Sequence, residues 1–380
     1  MSKFYETIVI GGGMAGMACA IKLNEAGKDV AMITEILGGK TMYDTKLDMN
    51  FGAVFYMENY HNVKQILEHG PKLMKSYGQV MCHRSASDYF PALSFRMLKN
   101  VFQLLKFKRF MKTFVKHYEL YKKDCEVISV KEAMKNDPFI KDLYFKTARQ
   151  LIDQLKIESA GEDLISQFVY GCTGTDVEGL NALDFCNCAQ GLVMPIYKFS
   201  MNYKAIEKRI GEVVIDSVES VTKTDLGHDV ITKSGKVFSC KNLVLACPAR
   251  VTQKLIGLKD IRKSSQLLAY LVSGVPKRKY QKNDIHVFAD TNPLIFLYNR
   301  NNGKNEYEVF SVKDIELNEY FDKYELLGKV EWPDALYVKG NVILDQAPGH
   351  GLYIAGDHNG LGMEPAAISG VYVANKIMNS

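Results

Sequence analysis

Nowhere in its 380 residues does the chain run the ~18 consecutive apolar residues that a bilayer-spanning helix requires. No charged segment with an apolar core precedes the first strand-like run, so no secretory leader is expected and the expected compartment is the cytoplasm. The eight cysteines are scattered; the closest pair is Cys186-x-Cys188, and no CxxC or His/Cys metal spacing occurs. That pattern points to reduced thiols and no metal. Tryptophan occurs once, at Trp332. The excess of one sign of charge is also small: the net charge of +5 is compatible with an anionic membrane or acidic ligands but demands neither, and nothing marks a nucleic-acid partner. With 47% hydrophobic and 24% charged residues the chain is globular, and its length suggests two domains.

What is present begins at once. Thr7-Ile8-Val9-Ile10 reads as a buried strand, Gly11-Gly12-Gly13 as a turn, and Met14 to about Ala26 as a helix stopped by Gly27. Asp29 to Thr34 is a second strand, ending at Glu35. This strand–glycine turn–helix–strand–acid order is what a dinucleotide site needs. Gly11 permits the tight turn, Gly13 lets the backbone approach a pyrophosphate, and Gly16 lets helix and strand pack closely. The N–H groups of Met14, Ala15 and Gly16, at the positive end of the helix dipole, suit phosphate. Glu35 can accept from a ribose hydroxyl pair and repels a 2′-phosphate, which excludes an NADP-type ligand. No second fingerprint of this kind occurs, so a dedicated NAD(P)H domain is not expected.

Downstream lie Leu37-Gly38-Gly39-Lys40-Thr41 and Asp48-Met49-Asn50-Phe51-Gly52-Ala53. Near the carboxyl end come Gly351-Leu352-Tyr353-Ile354-Ala355-Gly356-Asp357 and Met363-Glu364-Pro365-Ala366-Ala367-Ile368-Ser369-Gly370. Together with the fingerprint, these resemble the FAD-dependent superfamily of amine oxidases, protoporphyrinogen oxidases and phytoene desaturases. The usual Gly-Gly-Arg turn has Lys40 in the arginine's place, which keeps the charge and loses the planar fork. The resemblance implies an α/β fold: a Rossmann-type, glutathione-reductase-like FAD-binding domain with a mixed α+β substrate domain containing a helical insertion. It divides the chain into FAD-binding parts at 1–80, 192–250 and 336–380, and substrate-domain parts at 81–191 and 251–335. It also implies FAD contacts at Gly11, Gly13, Met14, Ala15, Gly16, Glu35, Gly39, Lys40, Thr41, Gly52, Ala53, Val218, Ala246, Gly356, Asp357, Met363 and Ala366. Members that attach FAD do so through a cysteine near the carboxyl terminus. The last cysteine here is Cys247, so non-covalent FAD is expected.

The middle of the chain is less regular. Arg96 to Tyr118 alternates basic and bulky apolar residues without one acid, as a single amphipathic helix or two joined near Lys106. Such a segment can lie in an anionic membrane interface, or pack its apolar face in the core with lysines in water. The second reading is preferred on the sequence. Further helix is expected over 130–134, 138–155, 162–170 and 200–210, with a loop over 171–179. Strands are expected at 213–215, 218–224, 229–233, 236–239 and 242–246, then at 267–273, 286–289, 294–299 and 308–312.

Against the amine oxidases of the superfamily, Gly362 stands where one cage aromatic would be, and no lysine lies between Lys263 and Lys277. The expectation is therefore the desaturase-like side: hydride moved to or from carbon in an apolar, lipid- or isoprenoid-like small molecule, with oxygen or a quinone as acceptor. Amine oxidation and flavin-dependent isomerisation stay open. Polar candidates are His61, His83, Arg84, Tyr197, Lys198, Tyr298, Arg300, His350 and His358. None is assigned as a base, and Trp332 can wall the flavin site or pack in the core.

Overall fold

The first strand, Lys3–Ile10, is wholly buried in its second half, and apolar there apart from Thr7, because it ends up with a parallel neighbour on each side. The structure is a computed structural model describing residues 3–380. Val30–Thr34 lies on one flank of that strand and Val237–Leu245 on the other. Glu212–Ile215 extends the sheet beyond Val30–Thr34, while Gly227–Thr232 and Val218–Thr224 add an antiparallel hairpin at the opposite edge. Leu352–Ile354 runs parallel to the end of Val237–Leu245. Helix Met14–Glu25 covers one face together with the carboxyl-terminal helix Met363–Met378. A Cβ at Gly370 would fall 2.1 Å from the Ala15 carbonyl oxygen, so glycine there is what lets the two helices meet.

The expected strands 236–239 and 242–246 are one element, Val237–Leu245. Its start pairs with the hairpin and its whole length follows Lys3–Ile10, so the exposed Lys241 does not interrupt it.

A second seven-stranded sheet runs in the order Phe321–Lys339, Lys263–Pro276, Glu306–Ser311, Leu294–Asn299, Ile285–Phe288, Val80–His83, Tyr89–Pro91. Only the pair Val80–His83 and Ile285–Phe288 is parallel. Strand Phe321–Lys339, 19 residues long, escaped the sequence reading. Much of it is exposed and charged, and backbone pairing with Lys263–Pro276, across several register shifts, fixes it instead of an alternating apolar face.

The expected helical block is present with different joints. The basic segment divides into Phe95–Lys99 and Val101–Asp124 at Asn100, not Lys106. There the Asn100 amide donates to Asp163 (2.9 Å) and the backbone leaves helical angles. Residues 138–155 form two helices, Pro138–Phe145 and Ala148–Leu155, because Thr147 caps the second with a reciprocal bond to Gln150. The 171–179 loop starts later, after helix Ser166–Thr173 ends at Gly174 in the left-handed region. Helix Ala182–Ala189 was not expected; Asn181 starts it by accepting from the Asp184 amide (2.8 Å). The 200–210 helix begins only at Tyr203, since Ile196–Ser200 is drawn into a small sheet with Tyr56–Met57 and Glu68–Lys72. This block has a core of its own, in which Phe107, Met111, Phe114 and Tyr118 pack with Ile140, Leu151 and Phe185.

Candidate functional site

The glycines of the first turn do three different jobs. Gly11 adopts φ +110°, and a Cβ there would lie 2.6 Å from the Ala246 carbonyl oxygen, where Ala246 N–H donates to Ile10 (2.8 Å). At Gly16 a Cβ would stand 1.9 Å from the Gly11 carbonyl oxygen. At Gly13 it would meet nothing within 4 Å. Gly13 immediately precedes helix Met14–Glu25 and no side chain caps that end, so the helix amides of Met14, Ala15 and Gly16 open onto the space at Gly13.

Three further segments close around that space. Gly38 N–H donates to the Gly12 carbonyl (2.8 Å), and a Cβ at Gly39 would lie 3.0 Å from Gly13 Cα. Thr41 turns its hydroxyl back to the Gly38 carbonyl (2.6 Å), bracing the turn from inside. Gly52 passes so close to Lys40 that a Cβ would sit 1.9 Å from its carbonyl oxygen, and Ala53 N–H donates to the same oxygen (3.0 Å). Glu35, exposed at its strand end, accepts from the Ser217 hydroxyl, next to the start of strand Val218–Thr224. Gly13 and Val218, 205 residues apart in sequence, thus come to the same end of the first sheet, together with Glu35 and Lys40.

The carboxyl-terminal loop supplies the other wall. Gly356 (φ +137°) donates its N–H to Ser369 Oγ (2.6 Å), and Lys40 Nζ reaches Asp357 Oδ2 (2.8 Å). Burial pushes the Asp357 carboxyl up; the Lys40 ammonium, with His358, more than offsets this and holds it below its ordinary value. His358 is 4% exposed, and neither ring nitrogen has a hydrogen-bond partner among the described residues. Burial pushes its pKa down to about 4, so the ring is neutral near pH 7. The open space at Gly13, in front of uncapped helix amides, is what the phosphates of a ligand such as FAD would fill. The residues present fit the cofactor: glycine amides for its phosphates, Glu35 for its ribose, and the start of helix Met363–Met378, including Met363 and Ala366, for its flavin end.

Several residues at this wall carried no assignment from sequence. The buried Glu364 accepts from the amides of His61 (2.8 Å), Asn62 (3.0 Å) and Val63 (3.0 Å), fastening the carboxyl-terminal helix to a distant loop. Asn187 donates to the Leu361 carbonyl (2.6 Å), while Asp184 pairs with the buried Arg262. Beside Gly362, the atoms nearest to its missing side chain are Tyr60 Oη (3.8 Å) and Asn187 Nδ2 (3.9 Å). The signal for Glu364 was only an acid in a first helical turn, which reads equally as a complement to that helix's own dipole.

The remaining polar candidates disperse. His83 and His286 form a buried pair (2.9 Å) in the second sheet, among Tyr280 and Phe288. Arg84 faces Glu162 and Asp163. Lys198 and Arg300 surround the buried Glu308, and Lys198 lies over Tyr298. Tyr197 stacks on Tyr56, and His350 lies in an exposed turn at φ +55°. Trp332 donates to the Phe51 carbonyl (2.7 Å), tying the second sheet to the Gly52 loop. Among the described residues no cluster suited to a metal occurs, and no helix is long and apolar enough to cross a membrane.

The family described as FAD binding domain matches residues 6–94. No curated protein sequence matches the chain. Among solved structures, a putrescine oxidase bound to putrescine superposes with a TM-score of 0.71 at 13% identity, covering 100% of both chains. A fatty acid isomerase from P. acnes gives 0.71 at 13% identity over 100% of this chain and 99% of its own. A cyclohexylamine oxidase from Brevibacterium oxydans gives 0.65 at 13%, over 99% and 98%. The chain therefore carries an FAD-binding domain at its amino-terminal end, within a fold that it shares along its length with these enzymes.

Proposed function

We propose that the protein is an FAD-dependent oxidoreductase that moves a hydride to or from a carbon centre of an apolar, lipid- or isoprenoid-like molecule. One observation carries the substrate class: the charged groups around the Gly356–Pro365 loop are already committed to one another. Lys40 pairs with Asp357 and Asp184 with Arg262. Lys122 is held by Glu119 and the Asn59 carbonyl, and Glu364 by the amides of 61–63. His358, the polar ring left over, is neutral. An ammonium substrate would meet no free carboxylate among them, whereas an apolar chain needs none. Tyr118, Tyr121, Val130, Leu183 and Ile368 supply the apolar part of a small cavity at this loop.

When bound, FAD supplies hydride chemistry. The chain's own part is to hold the phosphates at the Gly13 turn, orient the flavin end at the Met363 helix start, and keep water from the buried loop. Segments 81–191 and 251–335 form the substrate domain in this reading, with oxygen or a quinone taking the electrons. The test is anaerobic bleaching of the flavin absorbance by two panels, polyene and prenyl lipids in vesicles against small amines. Bleaching by lipids alone supports the proposal; bleaching by amines overturns the substrate class. Double-bond migration in a lipid without net consumption of acceptor would make the protein an isomerase, the activity named for one structural neighbour.

A further inference from the structure

The basic segment does not do one thing along its length. From Phe107 onward helix Val101–Asp124 buries Phe107, Met111, Phe114, Tyr118 and Tyr121 in the helical core, as preferred from the sequence. Its amino-terminal end and the short helix before it do the opposite. Leu93 is 67% exposed, Phe95 74%, Leu98 65%, Phe102 82% and Leu105 47%. A cluster of large apolar side chains standing in water within one short segment marks a binding surface.

This display is held rigidly. The buried Asp163 receives the Arg96 guanidinium through two bonds (2.8 and 3.1 Å) and the Asn100 amide (2.9 Å). Arg96 also reaches Asp88 (2.7 Å) and lies over Phe90, and Gln103 accepts from the Ala160 amide (3.0 Å). With Arg96, Met97 and Asn100 fixed inward, Phe95, Leu98 and Phe102 are turned outward by helical geometry.

Charge selects the occupant. No Asp or Glu occurs between Asp88 and Glu119. Lys99, Lys106, Lys108, Arg109, Lys112 and Lys116 have no ion-pair partner among the described residues, and all are exposed. An apolar tip backed by a row of unpaired cations is complementary to an anionic bilayer, with acyl chains for the tip and headgroups for the lysines. A second copy of the chain suits it poorly, since a two-fold contact would set these cations against themselves. We infer that residues 93–116 dock the protein peripherally on an anionic lipid surface. This inference stands apart from the flavin chemistry.

Flotation of the full FAD-loaded chain with vesicles tests it. Phosphatidylglycerol–phosphatidylcholine vesicles should carry the protein up the gradient, phosphatidylcholine alone far less, and added salt should release it. Replacing Lys106, Arg109 and Lys112 by glutamine should weaken binding roughly a hundredfold, at about fivefold per cation near the surface. Phe95→Ser, Leu98→Ser and Phe102→Ser together should weaken it by at least about tenfold. All six side chains are exposed, and unchanged thermal unfolding and flavin content would show the variants intact. Absence of flotation overturns the inference, as does flotation indifferent to both sets. So does self-association that the serine variant abolishes while no vesicle binding is seen.

Discussion

Adding one methyl group at each of two neighbouring glycines separates the cofactor site from the fold. At Gly13 a Cβ meets no atom within 4 Å, and the backbone there is ordinary for any residue (φ −76°). Gly13→Ala should therefore leave the unfolding free energy of the FAD-free protein within about 0.5 kcal/mol of the parent. The same methyl projects into the space assigned to the pyrophosphate, so FAD affinity should fall by at least about tenfold, or about 1.4 kcal/mol. At Gly16 the arithmetic reverses. A Cβ 1.9 Å from the Gly11 carbonyl oxygen must retreat by more than about 1 Å, and both partners are backbone in a packed strand–helix junction. Gly16→Ala should cost the FAD-free protein roughly 2–3 kcal/mol. The assays are urea unfolding without FAD and fluorescence titration of FAD. A Gly13→Ala protein that binds FAD as tightly as the parent would refute the placement of the phosphates. Equal destabilisation by both substitutions would refute the division of roles.

Other outcomes follow from the same geometry. Glu364→Ala strands the buried Val63 amide and releases those of His61 and Asn62, so it should cost about 2–4 kcal/mol and weaken FAD binding; Glu364→Gln, keeping one acceptor oxygen, should cost less, by thermal unfolding with and without FAD. Lys40→Ala should lower FAD affinity by roughly tenfold, whereas Lys40→Arg should retain it, in the same titration. Burial pushes the pKa of His83 down to about 3, with His286 adding to the effect, and that of His286 down to about 4. The unfolded chain takes up these protons near pH 6.5 and the folded one does not, so their contribution is intact above pH 6.5 and shrinks as pH falls towards 4. The loss is about 1.4 kcal/mol per pH unit per ring, roughly 4 kcal/mol for the pair at pH 5. The double variant His83→Phe, His286→Leu should flatten this part of the stability–pH curve in urea titrations between pH 7 and 4.5.

The nucleotide half of the fold was legible because its signals are local. The run Thr7–Ile10, three glycines and an acid at the next strand end specify geometry within about thirty residues, and strand Val218–Thr224 fell at the expected residues. What escaped depends on partners distant in sequence. Phe321–Lys339 is a strand because Lys263–Pro276 lies beside it, and its own residues alternate too weakly to announce it. The break at Asn100 follows from Asp163, 63 residues away, and no pattern around Lys106 or Asn100 could report it. At the site, Gly356-Asp357 was readable as a motif, while Glu364 and the Asp184–Arg262 pair are buried charges whose purpose appears only when their far partners are known. The basic segment was read as a choice between two surfaces. Its helix buries Phe107, Met111, Phe114 and Tyr118 and leaves Phe102 and Leu105 exposed nearer its start.

That division has a mechanical side. Helix Val101–Asp124 is one uninterrupted rod of 24 residues, about 36 Å long at 1.5 Å per residue. Phe102 stands near one end; Tyr118, Tyr121 and Lys122 stand near the other, lining a small cavity with Gly356 and Pro365. A stiff rod pivoting about its middle by about ten degrees displaces each end by roughly 3 Å. The exposed Phe102 and the walls of the loop that carries Asp357 and His358 are thus opposite ends of a single element.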